Sequence, residues 1–168
     1  MGSMSLHGFS DWLSNTPISL FIQATDGIIP AVQTVHILCI AVVISAVLLV
    51  HLHTLGLAMR SQSSATLARR FFPWLWWALV LLLLSGAILI TAEPGRSLPN
   101  GVFQLKMALV ITAVVLTLLY QGPLRKDPVF WEKTTARRMS AAAIAILSLL
   151  VWVGIVFAGR WIAYAIDT

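Results

Sequence analysis

The sequence predicts an all-α fold, an integral membrane four-helix bundle with a short N-terminal interfacial helix. Three observations carry that reading. The 168 residues are 59% hydrophobic and only 10% charged, whereas water-soluble domains carry about 25% charged residues. Four apolar runs, near 27–57, 73–92, 102–121 and 140–163, each reach the roughly 20 residues that a helix needs to cross a bilayer. Finally, eight of the eleven Lys and Arg residues fall between runs one and two or between runs three and four. The chain thus divides into an N-terminal segment, 1–26, and a transmembrane domain, 27–168.

Residues 8–23 precede the first span. Ser10-Asp11-Trp12 suits the cap of a short helix carrying Trp12, Leu13, Ile18, Leu20, Phe21 and Ile22. Pro17 interrupts it, so the segment lies in the interface or packs on the core rather than crossing. The opening Met1-Gly2-Ser3-Met4 reads as an expression remnant. No cleavable signal peptide is expected, because no basic stretch leads directly into an apolar core. The first span is marked by Asp26-Gly27 at one end and by Gly56, with Arg60 beyond, at the other. It exceeds the hydrocarbon thickness, so it tilts or protrudes. Pro73 suits the first turn of the second helix. Pro94, Gly95, Pro99, Asn100 and Gly101 punctuate the following loop, and Gly122-Pro123 ends the third helix.

The net charge of +5 and pI of about 10.2 do not point to nucleic acid, because the cations sit between apolar runs where they set topology and meet lipid headgroups. Arg60, Arg69 and Arg70 in one loop and Arg125, Lys126, Lys133, Arg137 and Arg138 in the other place both loops in the cytoplasm. The termini then face outward, which in a bacterial inner membrane means the periplasm. Trp74, Trp76, Trp77 and Trp131 fall at the inner boundary, and Trp161 and Tyr164 at the outer one, as an aromatic belt requires. The single cysteine, Cys39, cannot form an internal disulfide.

Chemistry concentrates on the first span. An ionisable side chain inside a span costs roughly 2.5–3.5 kcal/mol on insertion scales and marks a functional candidate. Imidazole is a common ligand for haem iron and other metals. His36 and His51 are 15 residues apart, which returns them to within about 60° of one face, separated by about 22 Å of rise. His53 lies about 200° round from His51, so the two cannot bind one iron from one side. This spacing suits two sites, one per leaflet. His53, near the headgroups, is explained by position alone, and His7 has no role. Lys106 shares the outer leaflet with His36, Gln33 and Gln104. Its ammonium either snorkels to the surface or faces inward, where it pairs with an anion or acts as a ligand or base. Arg160 anchors the fourth helix or joins that anion site. Cys39, at i+3 from His36, makes a Cys/His pair able to hold copper, or is a small packing residue. Ser85-Gly86 in the second span permits close helix contact.

Nucleotide-binding glycine loops, a His-Glu-x-x-His motif and a nucleophile elbow are absent from the sequence. The acidic residues fall in loops or near span ends, which argues against a carboxylate-driven proton-coupled transporter.

Several short motifs sit between Val32 and Gln121: Val32-Gln-Thr-Val-His36, Arg60, Leu67-Ala-Arg69-Arg70-Phe-Phe-Pro73-Trp, Ser85-Gly86 and Phe103-Gln-Leu-Lys106-Met. This run, about half the chain, resembles an uncharacterised four-helix family of bacterial membrane proteins. More distantly, it resembles the HemJ-type protoporphyrinogen oxidases and the CopD-type copper-resistance proteins. The HemJ-type resemblance implies haem b and activity associated with a first-span histidine, here His36, and a third-span lysine, here Lys106. Where related proteins often carry a histidine at the end of the third span, this chain has Tyr120-Gln121.

The expectation is therefore a haem b-binding membrane redox protein whose reaction is left open. His36 ligates an outer haem with Lys106 as propionate partner or second ligand, and His51 ligates a second haem with Arg69 and Arg70 available to its propionates. Only the first span supplies histidines, so bis-histidine ligation calls for a homodimer. The bilayer and a quinone or porphyrin-type molecule are the expected partners, with no nucleic acid. The rival expectation is a non-enzymatic protein that handles copper through His36 and Cys39, or a small organic anion through Lys106, Gln33 and Gln104.

Overall fold

The computed structural model describes residues 6–59 and 61–162, with side chains from Gly8 onward. Arg60, Tyr164 and the His7 side chain lie outside the described residues, as does the opening tetrapeptide. Two short helices, α1 (Leu6–Ser14) and α2 (Pro17–Ala24), lead into α3 (Ile28–Thr54). α4 (Ser64–Ala92), a single-turn α5 (Pro94–Ser97), α6 (Gly101–Lys126), a 3-10 turn (Phe130–Glu132) and α7 (Thr135–Trp161) follow. Among the described residues there is no strand. α3, α4, α6 and α7 are the four helices long and apolar enough to cross a membrane, so the chain is an all-α, multi-pass membrane bundle as the sequence predicts.

The spans run antiparallel in chain order. α3 packs most extensively on α4 and also on α7, α7 packs on α6, and α4 touches α6 lightly. The core joins small and mid-sized side chains, among them Val43, Ala46, Val47 and Val50 of α3, Leu75 and Ala78 of α4, Ala113 of α6, and Ala141 and Ala145 of α7, to the large rings of Phe72, Tyr120, Trp131 and Trp152. Leu83, Leu84, Leu118, Leu119 and Leu150 point outward. Lipid tails are as apolar as leucine, so helix association rests on close packing rather than on a hydrophobic drive.

The element boundaries differ from the sequence reading where local hydrogen bonding overrides punctuation. Ser10 and Asp11 do not cap a helix. α1 begins before them, and it is Thr16 that caps α2, accepting from the Ser19 N–H at 3.4 Å with Pro17 in the first turn. α2 is tied to the end of α4 by Ser19 Oγ to the Thr91 carbonyl (2.7 Å) and Gln23 Nε2 to the Ala92 carbonyl (2.9 Å). Its Ile18, Leu20 and Phe21 are exposed, which fits a helix lying at the interface.

α3 stops at Thr54 rather than Leu57. Gly56, at φ 71°, sends its N–H back to the His53 carbonyl, and Leu57 sends its own to Leu52, both at 2.8 Å. This paired return is a Schellman ending, which needs a left-handed residue at the position of Gly56. α4 starts nine residues before Pro73, because Ser63 caps it by accepting from the Thr66 N–H at 3.2 Å. Leu67, Ala68 and Phe72 then enter the core. Pro73 is thus inside the helix, at the cost of the one bond its missing N–H would have made, and Arg69 and Arg70 are helical rather than in a loop. Ser63→Ala removes the cap and is expected to lower stability by about 1 kcal/mol, read as a lower unfolding midpoint in detergent.

α6 likewise runs through Gly122-Pro123 to Lys126, where the Asp127 N–H closes on the Pro123 carbonyl at 2.9 Å. The extra turn places Leu124 in the core. α7 starts at Thr135, with Thr134 accepting from the Arg137 N–H at 3.2 Å. Trp131 is not part of an aromatic belt. It is 8% exposed, stacks on Tyr120 with centroids 5.8 Å apart and donates Nε1–H to the Tyr120 carbonyl at 3.1 Å. Trp74 and Trp77 are exposed, as interfacial rings should be. Trp76 instead donates to Gln121 Oε1 at 3.0 Å. Beyond α6, the Lys133 ammonium is paired with Asp127 and holds its carboxyl below the usual carboxylate range.

Candidate functional site

The bundle has two polar ends. One, here the terminal end, carries α1, α2, α5 and the end of α7. The other, the basic end, carries the α3–α4 and α6–α7 connections.

At the terminal end all four spans contribute one piece each. His36 lies nine residues into α3, on the same face as Cys39 and Val43. Its Nδ1 is 2.8 Å from Ser85 Oγ of α4. Ser85 is placed by its own helix, with Oγ 2.6 Å from the Leu81 carbonyl. A carbonyl only accepts, so the single hydroxyl hydrogen of Ser85 goes to Leu81, and Oγ is left to accept from His36. In the neutral tautomer that suits this arrangement, His36 carries its proton on Nδ1 and its Nε2 presents a lone pair. A histidine poised to bind a metal through one nitrogen is oriented through the other in this way.

Gly86 makes room for the ring. A Cβ there would lie 3.6 Å from His36 Cε1. Gly159 of α7 makes room for Lys106 of α6 in the same manner, since a Cβ there would lie 3.7 Å from Lys106 Nζ. Lys106 thus lies over α7 and does not simply snorkel outward. It is within electrostatic reach of His36. At the same end, Gln33, Leu89, Glu93, Arg96, Ser97 and Gly159 line a cavity of about 250 Å³ whose lining does not include His36 or Lys106. Gln33 is one turn from His36 toward the mouth. Arg96 is held by Glu93 at 3.1 Å, with both side chains about half exposed, so this pair adds little stability.

Other side chains expected in this leaflet lie elsewhere. Gln104 is exposed and donates to the Leu98 carbonyl at 3.4 Å. Cys39 is buried in the core with Val43 and Ala46. Arg160 is exposed at the end of α7. Among the described residues, no three His, Cys, Asp or Glu side chains gather into a metal-binding group.

At the basic end, His51 is 2% exposed and sets its ring at 90° to Tyr120, with centroids 5.4 Å apart. Its Nδ1 has no hydrogen-bond partner among the described residues. Arg69 and Arg70 are exposed while Leu67, Ala68 and Phe72 face the core, so the two arginines lie on the outer side of α4. Arg70 rests its guanidinium 5.9 Å from the ring of Phe71. Tyr120 donates its O–H to Thr54 Oγ1 at 2.6 Å, because the Thr54 hydrogen goes to the Val50 carbonyl at 2.9 Å. His53 is not merely interfacial: both its nitrogens have polar neighbours, from Ala58, Met59 and Ser64.

Ser85, Ser64 and Glu132 were not singled out as chemistry by the sequence. Serines on apolar helices carry no periodic signal, and Glu132 meets Ser64 across 68 residues.

Four antiparallel apolar helices, with a histidine and a lysine within electrostatic reach of one another at one end, define a multi-pass helical membrane protein with a polar site among its spans. The chain belongs to DUF6644, a family of unknown function, whose model matches residues 9–165. No curated protein and no solved structure matches it.

Proposed function

We propose that the protein is a haem b-binding redox protein of the bacterial inner membrane, with its basic end in the cytoplasm and both termini in the periplasm. The excess of Lys and Arg at the basic end supports the orientation. The observation that carries the haem reading is the 2.8 Å contact of His36 Nδ1 with Ser85 Oγ, which turns Nε2 away from Ser85. An intramembrane imidazole with Nδ1–H engaged by Ser85 and Nε2 free is the arrangement that haem iron takes as an axial ligand.

The surrounding residues fit such a group. Gly86 lies against the His36 ring and Gly159 against the Lys106 side chain, and Lys106 offers an ammonium to a propionate. The nearby cavity of about 250 Å³ is below the roughly 300–1,000 Å³ of ordinary small-molecule sites and is not lined by His36 or Lys106, so a haem on His36 would need the α3–α4 and α6–α7 faces to part or a second copy of the chain to complete the site. A bound haem would supply one-electron chemistry toward a quinone or a porphyrin-type molecule, at a potential set by ligation and burial. The part played by this chain is to orient Nε2, to neutralise an anion through Lys106 and to exclude water by the packing below Cys39 and Val43. α3 alone supplies intramembrane histidines, so a second imidazole would come from a second copy. The distant resemblance to HemJ-type proteins supports His36 and Lys106 together. A second haem at His51 has less support, because Tyr120 fills the space at its ring and Arg69 and Arg70 lie outward.

Titrating haem b into the detergent-solubilised protein tests this reading. The expected result is a saturable Soret band at one haem per chain or one per two chains. A colourless protein that instead binds a small carboxylate, with binding lost in Lys106→Met, would favour the second reading, an organic-anion site. That reading rests on Gln33, Arg96 and Ser97 lining the cavity, where Arg96 would have to turn from Glu93 to the carboxylate.

A further inference from the structure

Arg69 and Arg70 take no part in the site at the terminal end, and among the described residues they have no carboxylate partner. Of the acidic side chains at the basic end, Asp127 is paired with Lys133 and Glu132 accepts from Ser64. Arg70 is held only loosely, with its guanidinium 5.9 Å from the centroid of the Phe71 ring, so its N–H donors are left for an anion.

The helix that carries the two arginines has a second side. Leu67, Ala68, Phe72 and Leu75 turn one side of α4 into the core. Arg70, Trp74, Trp77, Leu81 and Leu84 recur at intervals of four and three residues on the other side, and all of them are exposed. Such spacing keeps them on one stripe. From Arg70 to Leu81 the stripe rises about 16 Å, close to one leaflet of a hydrocarbon core roughly 30 Å thick. A cation comes first, then two amphipathic rings, then aliphatic side chains. A phospholipid has the matching order from its headgroup inward: phosphate, ester, acyl chain.

Pro73 fixes the level of this stripe in the bilayer. It is exposed and lies inside α4, so the Arg69 carbonyl lacks the N–H that would close its helical bond. A carbonyl without a donor is costly in hydrocarbon and cheap beside water and headgroups. The turn from Arg69 to Pro73 therefore belongs at the headgroup layer.

We infer that the outer face of α4 binds an anionic phospholipid at the basic end. Arg69 and Arg70 hold the phosphate oxygens, which guanidinium groups meet with paired N–H donors. Trp74 and Trp77 lie at the ester level, where rings with one polar edge are favoured. Leu81 and Leu84 flank the acyl chain. An acidic soluble partner would reach the arginines but not the rings and leucines below them, whereas the lipid matches the whole stripe. The site is independent of His36 and of haem.

Phosphatidylglycerol with brominated acyl chains, added to the whole protein in a neutral detergent, tests the proposal by quenching tryptophan fluorescence. Phosphatidylcholine with the same chains is the reference. Phosphatidylglycerol should quench at a lower lipid fraction, and the double variant Trp74→Phe, Trp77→Phe should lose most of that difference. The double variant Arg69→Gln, Arg70→Gln should bind phosphatidylglycerol about 30-fold more weakly, at about fivefold for each basic side chain beside an anionic lipid. Arg125→Gln with Lys126→Gln removes the same charge elsewhere at this end and should leave the affinity near that of the wild type. Equal quenching by the two lipids would overturn the proposal. So would equal losses in the two charge variants, which would indicate a diffuse field, or displacement of the lipid by glycerol phosphate, which would indicate a site for free phosphate. If the arginine variant does not fold, the tryptophan pair decides: a lipid preference undiminished without Trp74 and Trp77 would place the lipid elsewhere.

Discussion

His36→Ala is expected to abolish haem binding at the terminal end while leaving the helical bundle intact. The imidazole is about half-buried beside Gly86, so its loss leaves a small gap next to a glycine and not a hole in the main core, which lies below Cys39. Helical content and detergent unfolding should change little, whereas the Soret band of the haem-loaded protein should disappear. The series around it separates ligation from orientation. Ser85→Ala keeps Nε2 but releases Nδ1, and a lost orienting bond of this kind costs about 10–100-fold in affinity. Lys106→Met keeps the ligand and removes the ammonium, so its effect should grow weaker as salt or exogenous carboxylate screens the wild type. His51→Ala should leave the terminal-end haem unchanged. Equal loss in His36→Ala and His51→Ala would place the ligand elsewhere or show only general damage.

Tyr120→Ala is expected to be the most destabilising single change in the described structure. Tyr120 is fully buried and forms the centre of the basic end. His51, Phe72 and Trp131 all pack on its ring, and its hydroxyl meets Thr54. Truncation of a buried aromatic costs about 3–5 kcal/mol, here also unseating Trp131 and with it the turn before α7. Tyr120→Phe removes only the hydroxyl. Thr54 keeps its own bond to the Val50 carbonyl, so the loss should be about 1 kcal/mol. Denaturant midpoints of the two variants in one detergent check the contrast. A Tyr120→Ala protein within about 1 kcal/mol of Tyr120→Phe would show that these ring contacts carry little of the stability.

The number and order of spans were legible in the sequence because hydrophobicity over 20 residues leaves little choice. Their ends were not, and the failures share a cause. Pro73 and Gly122-Pro123 look like boundaries, but a proline removes one hydrogen bond from a helix, whereas Ser63 gains a cap and Leu67, Phe72 and Leu124 gain burial. In those two places the packed side chains outweigh the proline. The split of the N-terminal segment at Pro17 was legible, although its capping residue, Thr16, was not. In the site, His36 and Lys106 stood out because ionisable groups inside a span are expensive. Their placement against Ser85, Gly86 and Gly159 depends on helix rotation, which the weak sidedness of these lipid-exposed helices does not encode. Trp131 misled for the opposite reason: a tryptophan near a span boundary suits a belt, but here it finds a carbonyl and a ring to pack on. His53, which position alone had explained, turns out to be bonded at both nitrogens.

The central claim is that His36 presents its Nε2 to haem iron. The most direct measurement is the oxidised and dithionite-reduced visible spectrum of the protein purified from cells supplied with a haem precursor, taken alongside its Ser85→Ala and His36→Ala variants. The expected result is a Soret band that shifts on reduction, is weaker in Ser85→Ala and is absent in His36→Ala. A well-folded wild-type protein without a Soret band, or a band that His36→Ala retains in full, would contradict it.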